Sequence, residues 1–417
     1  MLILPKFSFG VGDRFGRQGS AQLRAVEMIC ADGADVVPVW NKSNREHSIT
    51  GTKPESVRTE ADAAVKAAGW SKPYFVDADH INLSNVEGFT AASDFFTLDV
   101  ADFVGKPDPD AADFARRHAG PDGKGVRVEL PGGLPPIEAS REDIEAAAGK
   151  FLHAVKEAGK IYRTIEKVKG AGTFVTEVSM DETDLAQSPT ELYFILAMIA
   201  DEKIPAQTVA PKFTGRFNKG VDYVGDVDGF AREFESDVAV TLVAAPAFGL
   251  PSNLKLSVHS GSDKFSIYPA IRRACAKFDA GVHVKTAGTT WVEEIAALAS
   301  VGGEGLAFAK DIYAQAYAHI DELAAPYAAV IDIDPARLPK PDEVAGWDAA
   351  KLTATLRHEQ SSPDYNMNAR QLVHIGYKYA VKAGPRYFEL LDKYAKEVGD
   401  AVTENIYKRH LRPLFID

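Results

Sequence analysis

The chain is poor in cysteine. Its 417 residues include only Cys30 and Cys275, and the two lie too far apart in sequence to form the short ligand spacing of a zinc site. Two cysteines cannot build the disulfide framework of a small secreted domain, so we expect a reducing, cytoplasmic environment.

Positive charge and long apolar runs are also scarce. Lysine and arginine number 47 against 59 acidic residues, a net charge of −12, which argues against nucleic acid and anionic membranes as partners. No apolar run approaches the ~20 residues of a membrane-spanning helix. The apolar start, Met1–Phe9, is too short for a signal peptide. We therefore expect a small-molecule partner; the sequence leaves the oligomeric state open and is compatible with a homo-oligomer.

Short apolar strands alternate with amphipathic helical stretches along most of the chain, and the apolar fraction of 46% is ordinary for a globular protein. The candidate strands are Leu4–Gly10, Asp35–Val39, Pro73–Val76, Phe95–Leu98, Thr173–Val178, Gln207–Pro211, Lys255–His259 and Gly281–Val284. Eight strand–helix units predict an α/β fold, a (β/α)8 TIM-like barrel, whose active site lies at the carboxyl ends of the strands.

A long insertion separates the fourth and fifth strands. It spans residues 105–172, begins as a loop rich in proline and glycine, and continues as a predicted helix from Ser140, which caps it. After the eighth strand the chain is helical to its end. We predict a catalytic barrel domain over residues 1–330, including the insertion, and a helical C-terminal extension over residues 331–417 packed on the barrel.

Acidic residues and a histidine follow the third strand. Asp77 and Asp79 share one strand face, and His80 stands where the strand ends. Acid beside histidine is common on surfaces, but buried carboxylates at a barrel top need a charge or a metal to compensate them. Function is therefore favoured over a structural ion pair.

The fifth strand carries one acid among apolar neighbours. Glu177 is costly to bury unless it is paired with a cation or bound to a metal, and an ion pair with a nearby lysine is the alternative interpretation. Asp181 and Glu182 follow it and could instead cap the helix that starts near Ser188.

Histidines end the last two strands. His259 is followed by small polar residues, and His283 alternates with Lys285 onto one strand face. A lone histidine there is more often a satisfied core residue. Together with His80, however, the two imidazoles favour a divalent metal, for which zinc, manganese, iron, cobalt and nickel are all compatible.

Four cations lie near predicted strand ends in this acidic chain: Arg14, Lys219, Lys264 and Lys285. They are candidates to bind an acidic substrate. A solvated loop is an equally good interpretation of the segment around Lys219. The glycine-rich stretch around Arg14 fits a dinucleotide loop poorly, because a charged pair stands where small residues are needed.

Six sequence blocks, in this order, resemble the signature blocks of the tagaturonate epimerase family. They are Gly10–Arg14, Asp77–His80, Glu177–Glu182, His259–Pro269, His283–Gly288 and Asn368–His374. The resemblance covers most of the chain, and the block that starts at His259 is long and specific. Family members carry a further N-terminal region before the first block, and this chain begins almost at that block.

The resemblance implies a metal-dependent enzyme that interconverts tagaturonate and fructuronate in hexuronate catabolism. It implies Asp79 as the proton acceptor, Glu177 as the proton donor, and His80 and His259 as metal ligands. We add His283 as a third ligand because of its place at a strand end. The alternatives are a metal-dependent ketose isomerase or aldolase on the same barrel, and a non-catalytic barrel subunit that supports a partner enzyme.

Overall fold

Eight parallel strands close into a barrel in the computed structural model, which describes residues 1–286 and 288–417. Ala287, which belongs to the sequence block His283–Gly288, lies outside the described residues. The ten strands are β1 (Phe7–Gly12), β2 (Val36–Ser43), β3 (Phe75–Ile81), β4 (Phe95–Asp99), β5 (Gly125–Val128), β6 (Ile137–Ser140), β7 (Val175–Ser179), β8 (Thr208–Ala210), β9 (Lys255–His259) and β10 (Val282–Thr286). The barrel runs β1-β2-β3-β4-β7-β8-β9-β10 and back to β1, while β5 and β6 pair as an antiparallel hairpin. The predicted (β/α)8 barrel is confirmed.

Helices surround the barrel and continue beyond it. They are α1 (Gly19–Ala31), α2 (Asn44–Thr50), α3 (Glu55–Ala68), α4 (Ala111–His118), α5 (Arg141–Lys169), α6 (Pro189–Asp201), α7 (Val227–Phe248), α8 (Tyr268–Phe278), α9 (Thr289–Ser300), α10 (Gly303–Ala318), α11 (Ile320–Ala324), α12 (Pro341–Ala345), α13 (Ala349–Leu356), α14 (Met367–Ile375), α15 (Tyr377–Ala383), α16 (Pro385–Lys393), α17 (Ala395–Glu404) and α18 (Arg412–Phe415). The segment Asn405–Leu411 is π-helical. In the described parts of the chain, no helix is both long and apolar enough to cross a membrane.

The insertion between β4 and β7 contains the hairpin and the long helix α5. Ser140 caps this helix: its hydroxyl accepts a hydrogen bond from the backbone N–H of Asp143, whose carboxylate accepts from Ser140 in return. This capping box satisfies N–H groups that the first helical turn cannot pair. The predicted cap and helix are confirmed.

The apolar core has two main parts. One fills the space between the barrel and its helices, and the other lies among the helices that follow β10, from Trp291 to Val398. The end of the chain returns to the barrel, where Val402 and Leu414 join the first part. The C-terminal helices thus have a core of their own and still pack on the barrel; the exact division at residue 330 stays a prediction.

The register of the barrel sets the height of each polar side chain. Lys285 pairs with His259 on one side and with Gly10 on the other, so these positions stand at one level. At the end of β3 the register shifts between Ala78 and Ile81. Within this irregularity His80 has φ of 52°, the left-handed region that side chains other than glycine rarely adopt. Such strain is typical of functional sites.

Candidate active site

A cavity of about 590 Å³ opens at the carboxyl ends of the barrel strands. Asp79, His80, Asp181, His259 and Lys285 all line it. The wall also includes Pro326, Tyr327, Ala329 and Val330, from the segment that follows α11. The strand ends and part of the helical C-terminal region therefore enclose one shared space, of a size suited to a small ligand.

Lys285 holds three carboxylates at the base of this cavity. Its Nζ lies 2.7 Å from Asp77 Oδ2, 3.0 Å from Asp79 Oδ1 and 3.0 Å from Glu177 Oε1, and it also donates to the hydroxyl of Thr97. Burial lowers the pKa of Lys285, but the three carboxylates outweigh this and raise it well above its usual value. Lys285 is therefore a permanent ammonium that neutralises its neighbours rather than a nucleophilic amine.

The pKa values of the three carboxyl groups are shifted in different directions. Burial, with Asp79 and Glu177 nearby, raises the pKa of Asp77 to about 7 despite Lys285. Burial acts in the same direction on Asp79, but Lys285, His80 and His259 together hold its pKa below the usual value. Lys285 and His259 likewise overcome the effect of burial on Glu177 and hold its pKa well below the usual value. Asp79 and Glu177 are thus the more acidic pair, and Asp77 is the weakest acid of the three.

Each of two imidazoles has a carboxylate beside one ring nitrogen. His259 Nε2 lies 2.7 Å from Glu177 Oε1, and His80 Nδ1 lies 3.3 Å from Asp99 Oδ2. The ring centroids of the two histidines are 5.1 Å apart. Burial lowers the pKa of His259, but Asp181 and Glu177 outweigh it and raise this pKa to about 9. The two rings and their acids form one compact group at the cavity surface.

This group has the composition of a metal site. The ligand atoms of His80, Asp181 and His259 all lie within 4.8 Å of one another. His259 Nδ1 is buried, makes no hydrogen bond, and lies 3.0 Å from Asp181 Oδ1. Metal-binding histidines commonly present their second nitrogen to a carboxylate, as His259 does to Glu177 and His80 does to Asp99. Two imidazoles and a carboxylate fit a divalent transition metal.

The structure does not bring His283 to this group. His283 stands two residues before Lys285 on β10, about 6–7 Å deeper in the barrel, and its Nδ1 lies 2.9 Å from the hydroxyl of Ser8. Burial is the main reason that its pKa is lowered to about 3. His283 is a neutral imidazole of the barrel interior, which was the structural alternative for a lone histidine.

Arg14 is held among protein groups and does not line the cavity. Its Nε donates to Glu46 Oε1 at 2.9 Å and its Nη1 to the carbonyl of His374 at 3.1 Å. Its guanidinium lies 4.1 Å from the ring centroid of Tyr377. Through these contacts Arg14 forms a largely buried ion pair with Glu46 beside α14 and α15.

Lys264 is also directed inward. Its Nζ donates to the carbonyls of Asn218 at 2.9 Å and Val221 at 2.7 Å, and to the hydroxyl of Ser262 at 3.0 Å. Lys264 has no exposed surface, and burial lowers its pKa to about 7. Lys264 therefore fastens the loop after β8 to the loop after β9. Of the four cations proposed for substrate binding, Lys219 and Lys285 line the cavity.

Asp263 joins the loop after β9 to the C-terminal helices. Its Oδ1 accepts from Thr289 at 2.9 Å and lies 3.0 Å from His410 Nε2, and its Oδ2 lies 3.0 Å from His358 Nδ1 and 2.6 Å from Arg370 Nη2. All five side chains are buried. The conspicuous polar residues after His259 thus build a buried connection, and the C-terminal helices support the loop that follows His259.

Several residues of the site escaped sequence reasoning. Asp181, for which the sequence suggests a possible helix cap, lies against His259. Asp99 ends the apolar strand β4, a signal of the same kind as that of Asp79, and it is absent from the predicted site. Arg45 and Tyr327 line the cavity but belong to a short helix and a connecting segment whose sequences give no such signal.

The barrel and its strand-end group of carboxylates, imidazoles and one ammonium define a (β/α)8 barrel with a candidate active site whose groups are suited to acid–base chemistry. The chain matches the model of the tagaturonate epimerase family (UxaE) over residues 3–120 and 124–414, and it belongs to that family. The predicted family, and with it an epimerase of the isomerase class, is confirmed.

Individual relatives agree. A tagaturonate/fructuronate epimerase of Thermotoga maritima is 28% identical over 423 residues, which cover 97% of this chain and 80% of the relative. The native crystal structure of fructuronate-tagaturonate epimerase UxaE from Cohnella laeviribosi has a TM-score of 0.80 at 23% identity, covering 98% of this chain and 81% of that one. Its structure with two glycerols gives 0.81 at 22% identity, over 99% and 82%. The solved structures support the fold.

Proposed function

We propose that this protein interconverts D-tagaturonate and D-fructuronate by inverting carbon 4, as a step of hexuronate catabolism. The observation that carries the proposal is the position of Asp79. This carboxylate lines the cavity, Lys285 keeps it ionised, and it stands beside the His80 and His259 group. Family membership supplies the substrate pair.

The reaction requires more than simple enolisation, because the proton on carbon 4 is not adjacent to the ketone at carbon 2. Either the bond between carbons 3 and 4 breaks and re-forms with the other geometry, or the carbonyl first migrates so that the carbon 4 proton becomes acidic. Both routes need a base, an acid and a positive centre for the developing oxyanion. The cavity offers all three kinds of group.

Asp79 is proposed as the proton acceptor. It faces the cavity, and the ammonium of Lys285 lies 3.0 Å from its Oδ1, so the carboxylate stays charged and oriented. Lys285 cannot itself accept a proton near neutral pH, because its pKa is raised well above the usual value by its three carboxylates against the effect of burial. Its role is to hold Asp79 and Glu177 in place and to balance their charge.

Glu177 is proposed to act through His259. Glu177 has no exposed surface, and its Oε1 lies 2.7 Å from His259 Nε2. Both ring nitrogens of His259 are then engaged, Nε2 by Glu177 and Nδ1 on the side of Asp181, so Glu177 acts by positioning the imidazole. It fixes the orientation of the ring, which leaves Nδ1 directed toward Asp181.

A divalent transition metal is proposed as cofactor, with His80, His259 and Asp181 as its ligands. When bound, it would supply a Lewis acid for the oxyanion of the sugar. Asp99 and Glu177 would orient the two imidazoles and make them better ligands. Zinc, manganese, iron, cobalt and nickel all suit this set of ligands.

The direct test is incubation with tagaturonate in deuterated water, with each metal added in turn, followed by NMR. We expect fructuronate to form. Cleavage between carbons 3 and 4 never breaks the carbon 4 C–H bond, so it leaves carbon 4 unlabelled, whereas proton transfer introduces deuterium there. Absence of conversion with every metal tested would refute the proposed function.

A cytoplasmic location is also proposed. Cys30 and Cys275, both within the described residues, are free thiols, as expected in a reducing compartment. The absence of nucleic-acid and membrane partners and the oligomeric state stay predictions.

A further inference from the structure

Three cations of the cavity wall have no carboxylate partner among the described residues: Arg45, Lys212 and Lys219. Of these, Arg45 and Lys219 lie near the same aromatic ring, that of Tyr327. Neighbouring cations are neutralised: Arg14 pairs with Glu46 and Arg216 with Asp332. No such ion pair forms at Arg45 or Lys219 within residues 1–286 and 288–417. Lys219 is partly buried and Arg45 is exposed, and cations at a cavity wall that lack a counterion can pair with a bound anion.

The two cations share one aromatic ring. Lys219 Nζ lies 5.6 Å and the Arg45 guanidinium 5.1 Å from the ring centroid of Tyr327. Aromatic rings attract cations, so the ring of Tyr327 stabilises Arg45 and Lys219 close together although both are positively charged. Burial first, and then Arg45 and Arg14, lower the pKa of Lys219. This part of the wall is thus a local concentration of positive charge in an acidic protein.

The ring and the lysine are fixed relative to each other. The backbone N–H of Lys219 donates to the carbonyl of Val330 at 2.7 Å, and Arg216 Nη2 donates to the carbonyl of Ile331 at 3.1 Å. Tyr327 is 7% exposed, and its hydroxyl lies 3.3 Å from that of Tyr377. The loop after β8 and the segment 326–331 therefore present these groups as one unit.

The charge of the cavity wall is different at the strand ends. Asp79 and Asp181 contribute negative charge there, and the ammonium of Lys285 is already shared among three carboxylates. A substrate carboxylate would be repelled by Asp79 and Asp181 and attracted by Arg45 and Lys219. A bound sugar acid is thereby oriented, with its carboxylate at the Tyr327 wall and its carbinol carbons toward Asp79.

We infer that Arg45 and Lys219, gathered over Tyr327, form the subsite that binds the carboxylate of a six-carbon sugar acid. This subsite determines the preference for a uronate over the corresponding neutral ketose. The inference rests on the proposed function for the identity of the substrate, and on the unpaired cations for the presence of an anion subsite.

The test compares kcat/KM for fructuronate and for fructose in wild type, Arg45→Gln and Lys219→Met. Each variant should lose about 10- to 100-fold on fructuronate, the size of one charged hydrogen bond, while its kcat/KM for fructose stays within about 2-fold. Arg232→Gln is the matched control, because Arg232 is an exposed arginine outside the cavity wall. It removes the same charge from the protein and should leave both substrates unaffected.

Binding of an unreactive pair separates this inference from the proposed function. Calorimetry with D-galacturonate and D-galactose should show tighter binding of the acid by wild type, and loss of this difference in both variants. If wild type converts neither ketose, the proposed function fails and the calorimetry alone decides the inference. The inference is wrong if both variants keep the wild-type ratio of affinity for the acid to affinity for the neutral sugar. It is also wrong if both variants lose kcat/KM equally on fructuronate and on fructose. If either variant does not fold, Lys219→Arg and Arg45→Lys replace them, and these must keep the preference for the acid.

Discussion

His259 Nε2 lies 2.7 Å from Oε1 of Glu177, a carboxylate with no surface of its own in the cavity. One nitrogen of the imidazole is thereby committed to a buried acid, and the other faces Asp181. His80 Nδ1 likewise faces a carboxylate, Asp99 Oδ2 at 3.3 Å, although Asp99 itself lines the cavity. The position of Glu177 behind the ring leads to predictions that separate its role from that of Asp79.

Asp79→Asn should lower kcat by about 100-fold or more and leave the metal affinity within a few-fold of wild type. The amide keeps the size of the side chain but cannot accept a proton at neutral pH. Steady-state kinetics and metal titration of the purified variant measure the two quantities. If the variant keeps a near-normal kcat with metal bound, Asp79 is not the proton acceptor and another group must be.

Glu177→Gln should lower kcat and also weaken metal binding, by about 10-fold, because the carboxylate orients His259 and makes it a better ligand. Asp79→Asn is its matched control, since both variants exchange a carboxylate for an amide beside Lys285. If the two variants have equal metal affinity, Glu177 does not act through His259.

Metal content should distinguish His259 from His283. His259→Ala is expected to lower metal affinity about 10-fold or more, by analogy with the size of indirect ligand effects, whereas His283→Leu should keep the metal because His283 lies deeper and faces Ser8. Elemental analysis after dialysis measures both. Loss of metal in His283→Leu would restore His283 to the set of ligands.

Chelation provides a separate check on the cofactor. Removal of divalent metal should abolish epimerisation, and one of the five candidate metals should restore it, because the oxyanion then regains its positive centre. Activity assays before and after treatment with chelator decide the matter. Full activity of the stripped protein would exclude the proposed role of the metal.

His283 should make the fold sensitive to acid. Burial chiefly lowers its pKa to about 3, while an unfolded chain protonates histidine near 6.5. Between these values the unfolded state binds the extra proton, so the free energy of unfolding falls as pH decreases, by up to about 1.4 kcal/mol per pH unit. Urea unfolding at pH 7 and pH 5 should show a smaller decrease for His283→Leu than for wild type; equal decreases would contradict the prediction.

Asp263→Ala should destabilise the protein by about 3–5 kcal/mol, because it removes the nearer carboxylate, at 2.6 Å, from the buried guanidinium of Arg370 and leaves Glu293 at 3.4 Å. Asp311→Ala is the control: Asp311 pairs with Arg386 at 3.5 Å, and both side chains are about half exposed. Loss of this pair should change the free energy of unfolding by less than about 1 kcal/mol. If the two substitutions lower the free energy of unfolding equally in urea, the buried cluster around Asp263 contributes no more stability than an exposed ion pair.

The sequence by itself determined the strands and the kind of chemistry. Apolar runs with charged residues at their ends predicted all eight barrel strands, with boundary errors of a few residues, such as Leu4–Gly10 for the observed Phe7–Gly12. The cost of burying Glu177 among apolar neighbours correctly indicated a compensated charge, and Lys285 provides it. These inferences are local, because strand periodicity and burial cost depend on a residue and its immediate neighbours.

Only the tertiary structure decided which of these residues meet. His259 and His283 follow similar strand patterns, yet the register that pairs His259 with Lys285 leaves His283 two residues deeper. Tyr327 and Arg45 reach the same cavity from segments almost 300 positions apart. Register in a closed barrel is fixed by the stagger of all its strands together, and contacts between distant segments by the packing of whole helices. Neither is contained in the local pattern of residues.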